Sequence, residues 1–149
     1  MYDLIELFFF AYRDFVGDAD RLLEAYGFGR AHHRVLHFVS RRPGLTIAEL
    51  LDILKITKQS LNRVLKELLG KGYVEARAGV SDRRQRLLYP TVKGRELAFQ
   101  IAQVQSLRFQ RVLNAAPARA RQDATAFLLQ VIDPTEQAAV AAHLPDDKP

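Results

Sequence analysis

The sequence contains no cysteine and no apolar run long enough to cross a bilayer. Without cysteine the chain has no disulfide, no thiolate metal ligand, no cysteine nucleophile and no peroxide-sensing thiol. Its most apolar segment, Leu4 to Tyr12, is short, contains Glu6 and lacks a cationic lead-in, whereas a spanning helix needs about 20 apolar residues. These absences predict a cytoplasmic protein with no membrane partner.

The sequence also lacks the short motifs that mark common enzyme classes. It has no glycine-rich phosphate loop, no nucleophile elbow and no H-E-x-x-H metal motif. None of its serines stands in a recognisable catalytic context. We therefore expect a protein that is not an enzyme, with no catalytic residue and no cofactor. A small hydrolase that uses His32, His33 or His37 is the remaining enzymatic alternative.

The charge of the chain is concentrated in its centre. Of 149 residues 48% are apolar and 26% are charged, which is enough for one packed domain, and the net charge is +5. The segment from Ile53 to Arg86 holds nine basic and three acidic residues, so it carries the whole positive excess. A basic centre between near-neutral flanks is typical of a module that binds a polyanion, and a solvated surface is the simpler alternative.

Helical periodicity predicts most of the elements. Residues 1–24 form a helix with apolar side chains on two faces, and in a chain this small a second subunit is the natural cover for the extra face. Further helices are expected at 30–41, 46–54, 57–69 and 91–114, with a last helical stretch around 127–132. Residues 73–77 and 85–89 alternate as strands around a glycine turn, which indicates a β-hairpin. The predicted fold is mainly α with one small hairpin.

Two short helices followed by a basic hairpin are typical of a winged helix-turn-helix that binds DNA. If Leu61, Val64, Leu65 and Leu68 face inward, polar side chains that bond base edges and phosphates face outward. An ordinary amphipathic surface helix is the alternative, but it gives no reason for the acid-poor face beside the basic hairpin. We predict that DNA is contacted from the helix by Thr57, Lys58, Gln59, Ser60, Asn62, Arg63 and Lys66, and from the hairpin tip by Asp82, Arg83, Arg84 and Arg86. Asp82 is expected to orient a neighbouring guanidinium through a bidentate bond and so to hold it for a narrow minor groove.

The hairpin and the helix start after it resemble the MarR (multiple antibiotic resistance regulator) family, whose pattern reads D-x-R and then L-T-x-x-G. Asp82, Arg84, Thr91 and Gly94 match this pattern at the right spacing, while Pro90 stands where the family commonly has leucine. The run from Thr57 to Val74 is similar to the recognition helix of that family and its exit.

The resemblance implies a homodimeric transcriptional repressor of one domain. Residues 1–30 and 92–144 would form the dimerisation lobe, residues 31–91 the winged helix-turn-helix, and residues 145–149 a polar tail. Two symmetry-related recognition helices would read a pseudo-palindromic operator in double-stranded DNA. Many family members release DNA when a small aromatic or phenolic molecule binds between the two lobes.

The residues that we expect around such an effector lie on the first two helices. Cationic and imidazole side chains suit a carboxylate or phenolate, and aromatic rings supply apolar walls. The set comprises Phe9, Tyr12, Arg13, Phe15, His32, His33 and His37. We expect no bound metal, but His33 and His37 share a helical face, so a metal-responsive regulator with a third ligand from Asp20, Glu24 or His143 is an alternative. A second alternative is a protein-interaction module that does not bind DNA and uses the basic surface to bind an acidic protein.

Overall fold

The computed structural model describes residues 1–145, and the last four residues of the predicted tail lie outside this range. Within it the chain forms seven helices and three strands. In chain order these are α1 (Tyr2–Glu24), α2 (Arg30–Arg41), β1 (Leu45–Thr46), α3 (Ile47–Leu54), α4 (Lys58–Gly70), β2 (Val74–Ala78), β3 (Arg86–Pro90), α5 (Val92–Asn114), α6 (Ala120–Val131) and α7 (Gln137–Ala141).

Threonine caps begin the two helices of the helix-turn-helix, as the sequence predicts. Thr46 Oγ1 accepts a hydrogen bond from the backbone N–H of Glu49 at 3.1 Å, and Glu49 Oε2 accepts one from the backbone N–H of Thr46 at 2.8 Å. This reciprocal pair satisfies two N–H groups that a helix start leaves unpaired. At the start of α4, Thr57 Oγ1 accepts a hydrogen bond from the backbone N–H of Ser60 at 3.1 Å. Between the helices, Lys55 adopts a left-handed conformation with φ 51° that ends α3.

The three strands form one antiparallel sheet in the order β1-β3-β2. Val74 of β2 pairs with Pro90 of β3, and on the other edge of β3 Leu88 pairs with Leu45. Because β1 has only two residues, it leaves no alternating pattern in the sequence. The hairpin of β2 and β3 was predicted to within one residue, whereas β1 was not predicted.

The chain divides into two compact units, Met1–Arg108 and Phe109–Pro149. In the first unit the hydrophobic core is built from α1 to α5 and the sheet. Its fully buried members are aliphatic and come from helices and a strand that are far apart in sequence. They include Leu23, Leu36, Leu50, Leu61, Leu68, Leu88 and Ile101. This core fixes the positions of α3, α4 and the hairpin.

The second unit contains the end of α5 together with α6 and α7, which contact each other. No residue of α6 or α7 is buried. The sequence predicted α6 only around its apolar residues 127–132 and did not predict α7. Both α7 and the first turns of α6 are rich in alanine and polar residues, so neither shows an apolar stripe. Among the described residues, no helix combines the length and the hydrophobicity that a membrane span requires.

Candidate nucleic-acid interface

The polar side of α4 is exposed as the sequence predicts. Leu61, Val64, Leu65 and Leu68 are at most 4% exposed and pack into the core, which fixes the rotation of the helix about its axis. We call the exposed side chains on the opposite side the reading face of α4. It consists of Lys58, Gln59, Asn62, Arg63 and Lys66. Thr57 and Ser60 lie at the start of the helix and form its cap.

The hairpin beside α4, residues 74–90, is the wing, and its tip carries Asp82, Arg83, Arg84 and Arg86 at exposed positions. The tip is closed by two backbone hydrogen bonds, from Gly79 N to Gln85 O at 2.9 Å and from Gln85 N to Asp82 O at 3.1 Å. A Cβ atom at position 79 would lie 2.5 Å from the carbonyl oxygen of Asp82. Only glycine therefore fits this turn without rearrangement.

Asp82 has a different role from the one expected for an acid beside arginines. We expected a bidentate bond that orients a guanidinium, but Asp82 Oδ1 accepts a hydrogen bond from the backbone N–H of Arg84 at 2.9 Å. The Arg84 guanidinium lies 3.9 Å away and its side chain is 97% exposed. Aspartate commonly bonds the backbone two residues ahead in turns, and here that local bond is the one formed. Asp82 thus shapes the turn, and Arg84 extends into solvent.

One side of the wing holds a further oriented cation, Arg77 of β2. Its guanidinium carbon lies 4.1 Å from the centre of the Tyr89 ring, and its Nη2 pairs with Glu75. Stacking on an aromatic ring restricts a guanidinium without neutralising it. Arg77 is one of the basic residues of the central segment, but the sequence alone did not single it out.

A histidine joins α2 to α4. The Nδ1 atom of His32 accepts a hydrogen bond from the backbone N–H of Gly29 at 3.1 Å, so in the neutral ring Nε2 carries the proton. Nε2 lies 3.1 Å from Glu67 Oε2 on α4, and the Phe28 ring stacks on the imidazole at 4.7 Å. His32, which we predicted as an effector contact, therefore braces α4 against the start of α2.

The junction between the wing and α5 explains the T-x-x-G part of the sequence pattern. Thr91 Oγ1 accepts a hydrogen bond from Gly94 N at 3.0 Å and donates one to the carbonyl of Gly72 at 2.7 Å. A Cβ atom at position 94 would lie 1.9 Å from the carbonyl oxygen of Tyr73. The pair therefore fastens the start of α5 to the exit of α4 through a close backbone approach.

The predicted effector residues lie on different parts of α1 and α2. Phe9, Tyr12 and Arg13 are on the exposed first half of α1, and the Arg13 guanidinium pairs with Asp14 and lies 4.9 Å from the Phe10 ring centre. Phe15, one turn further along α1, is partly buried. On α2, the rings of His33 and His37 lie 6.3 Å apart.

His33 and His37 lie where their charged forms are disfavoured. Burial lowers the pKa of His33, the neighbouring His37 lowers it further, and Asp20 of α1 partly opposes both effects. The pKa of His37 is lowered by burial and then by Arg41. Within residues 1–145, no group of three histidine, aspartate or glutamate side chains is placed to hold a metal ion.

The model of the MarR family matches residues 26–85, which contain α2, α3, α4 and the wing as far as Gln85. The HTH-type transcriptional regulator PetP of Rhodobacter capsulatus is 45% identical over 130 residues, which is 87% of this chain and 78% of that protein. The chain belongs to the MarR family. It is a DNA-binding transcriptional regulator of that family, in agreement with the resemblance found in the sequence.

Solved structures at low sequence identity share the fold. A SlyA-like regulator from Listeria monocytogenes superposes with a TM-score of 0.76 at 19% identity and covers 99% of this chain and 100% of its own. FabT of Streptococcus pneumoniae, solved in complex with DNA, has a TM-score of 0.76 at 16% identity over 88% of this chain and 94% of its own. The predicted architecture, mainly helical with a small sheet, is confirmed.

Proposed function

We propose that this MarR family protein is a homodimeric repressor. In this proposal it reads a pseudo-palindromic operator in double-stranded DNA through α4 and the wing, and a small aromatic or phenolic ligand releases it. The reading face of α4 would enter the major groove, while Arg83, Arg84 and Arg86 at the wing tip would flank it along the backbone or in the minor groove.

The observation that carries the proposal is the combination of the reading face with the wing. Gln59, Asn62 and Arg63 offer the amide and guanidinium groups that bond adenine and guanine edges, and all three are exposed on one side of a helix held rigidly by its core. Lys58 and Lys66 extend the same face as phosphate partners. Base-reading and phosphate-binding groups thus lie on one surface.

The first half of α1 supports the homodimer. Nine of the first twelve residues are large and apolar or aromatic, and each is 49% exposed or more. Soluble proteins seldom leave so large an apolar patch in water, and a second copy of the same helix can cover it about a two-fold axis. That symmetry would present two recognition helices to two half-sites.

Unsatisfied polar atoms on α1 and α2 support a ligand with a hydroxyl group. In the part of the chain described, Asp20 Oδ1 and Ser40 Oγ are buried and have no hydrogen-bond partner. Asp20 also interacts with His33, and a phenolic O–H could donate to its carboxylate. A ligand that favours one spacing of the two recognition helices would change operator affinity by shifting that equilibrium.

The division of roles on the interface is tested with alanine variants. Asn62→Ala and Arg63→Ala should each lose about 1–3 kcal/mol on the operator and discriminate less at one base position. Arg84→Ala should weaken binding on operator and random duplexes alike, because it serves the backbone or the minor groove. Affinities are measured by fluorescence anisotropy on the operator, on single-base variants of it and on a random duplex.

Arg119→Ala is the matched control, since Arg119 is an exposed arginine of the second unit that pairs with Asp123. It should leave both affinities unchanged. Equal losses on operator and random duplexes for all three interface variants would contradict the assignment of base reading to α4.

A further inference from the structure

A cleft of about 180 Å³ opens between the start of α2, the end of α3 and α4. Leu54 and Val64 supply apolar walls, and three polar side chains complete it: Arg34, Ser60 and Arg63. Ser60 and Arg63 belong to the surface that we propose meets DNA. Arg34 lies outside the basic central segment and reaches this surface only through the fold.

Arg34 is held in place by the end of α3. Its Nη2 donates a hydrogen bond to the carbonyl oxygen of Leu54, the last residue of α3, at 2.9 Å. That bond uses one of five N–H donors of the guanidinium. Among residues 1–145, neither Arg34 nor Arg63 has a carboxylate oxygen within 4.0 Å of its guanidinium nitrogens. Both side chains line the cleft.

The hydroxyl group of Ser60 completes the donor set. Thr57 Oγ1 donates to Ser60 Oγ at 2.9 Å and accepts from Ser60 N at 3.1 Å. Since Ser60 Oγ is the acceptor in the first bond, its own hydroxyl hydrogen remains available to an acceptor in the cleft. The cleft therefore presents the Arg34 guanidinium and the Ser60 hydroxyl as donors, and Arg63, which we assign to a base edge, adds its positive charge.

We propose that this cleft binds a phosphodiester group of the DNA backbone and that Arg34 is a phosphate contact of the protein. Guanidinium groups match phosphate oxygens in charge and in the spacing of their donors. The inference rests on the proposed function, because a backbone phosphate beside the major groove lies next to a helix inserted there. Arg34 would fix how deeply and at what angle α4 enters the groove without itself reading a base.

The test separates a phosphate contact from a cap of α3. Arg34→Gln removes the charge, Arg34→Lys keeps it, and Arg41→Gln removes a charge from the same helix at an exposed position that does not line the cleft. Affinity for the operator and for a random duplex is measured by anisotropy at several NaCl concentrations. Urea unfolding of each variant shows whether it is folded under these conditions.

Each phosphate contact adds about 0.9 to the slope of log K against log salt. We expect Arg34→Gln to flatten this slope by about 0.9 for each chain bound, on both duplexes, and Arg34→Lys and Arg41→Gln to keep the wild-type slope. An unchanged slope for a folded Arg34→Gln variant would overturn the inference and leave Arg34 as a helix cap. If the wild-type protein itself prefers no operator, the proposed function fails instead, so the two failures are distinguishable.

Discussion

At the scale of single residues, His33 and His37 link the packing of α2 to pH. Burial lowers the pKa of His33 below the ordinary histidine value of 6.5, so the folded chain resists taking up a proton that the unfolded chain accepts. Because the unfolded state then binds more protons, the free energy of unfolding falls as pH drops below about 6.5 and continues to fall until the folded-state pKa is reached. Above that window the histidine contributes no pH dependence.

Replacing His33 by glutamine should therefore reduce the loss of stability as the pH falls below about 6.5. Urea unfolding of wild type and His33→Gln at half-unit intervals measures this difference. The comparison of the same two proteins at pH 8 is the control, because His33 is then neutral in both the folded and the unfolded chain. Any difference in the free energy of unfolding at that pH reflects packing alone. Parallel curves for the two proteins across the acidic range would contradict the prediction.

The hydrogen-bond and stacking partners of individual side chains were the hardest features to predict. Asp82 was expected to hold a guanidinium and instead bonds the backbone of Arg84, because the turn brings that N–H closer than the side chain. His32 has an apolar stacking partner, Phe28, and a carboxylate partner, Glu67, that lies 35 positions away. No spacing in the sequence indicates such a pair.

At the scale of elements, helix caps and apolar periodicity predicted where the helices begin and which side of each is buried. Both threonine-capped helices begin where their sequence patterns indicated, and the leucine and valine stripe of α4 is the buried one. The reading face follows from that stripe, since a helix with one buried side has one exposed side. Strand β1 could not be predicted because it exists only through pairing with β3. The place of Arg34 in the cleft could not be predicted because the cleft is formed by residues of three different helices.

The junction of the wing with α5 gives the sharpest element-scale prediction. Gly94→Ala would place a methyl carbon 1.9 Å from the Tyr73 carbonyl oxygen, and backbone on both sides must move to relieve it. We expect the free energy of unfolding to fall by about 1–3 kcal/mol or more, measured by urea denaturation.

Gly70→Ala is the matched control. Position 70 ends α4, and a Cβ atom there meets no heavy atom within 4 Å. The control should be neutral or should stabilise by up to about 1 kcal/mol through lower entropy of the unfolded chain. If both variants were equally stable, the close approach at Gly94 would not constrain the junction.

At the scale of the whole molecule, the basic surface and the exposed apolar surface lie on different elements. Most of the basic residues of the centre lie on α4 and the wing, whereas the exposed apolar side chains concentrate on α1 and on the helices of the second unit. The first distribution suits a polyanion, and the second suits a second copy of the chain. A homodimer would combine the two by placing paired basic surfaces on one duplex.

The most direct test of this account is anisotropy binding of the purified protein to duplexes from its own upstream intergenic DNA, with a random duplex as competitor at 50 and 200 mM salt. We predict selective binding of two chains per duplex, with affinity that falls by about a thousandfold or more between the two salt concentrations. Weak binding with equal affinity for both duplexes would contradict the claim that α4 and the wing read an operator.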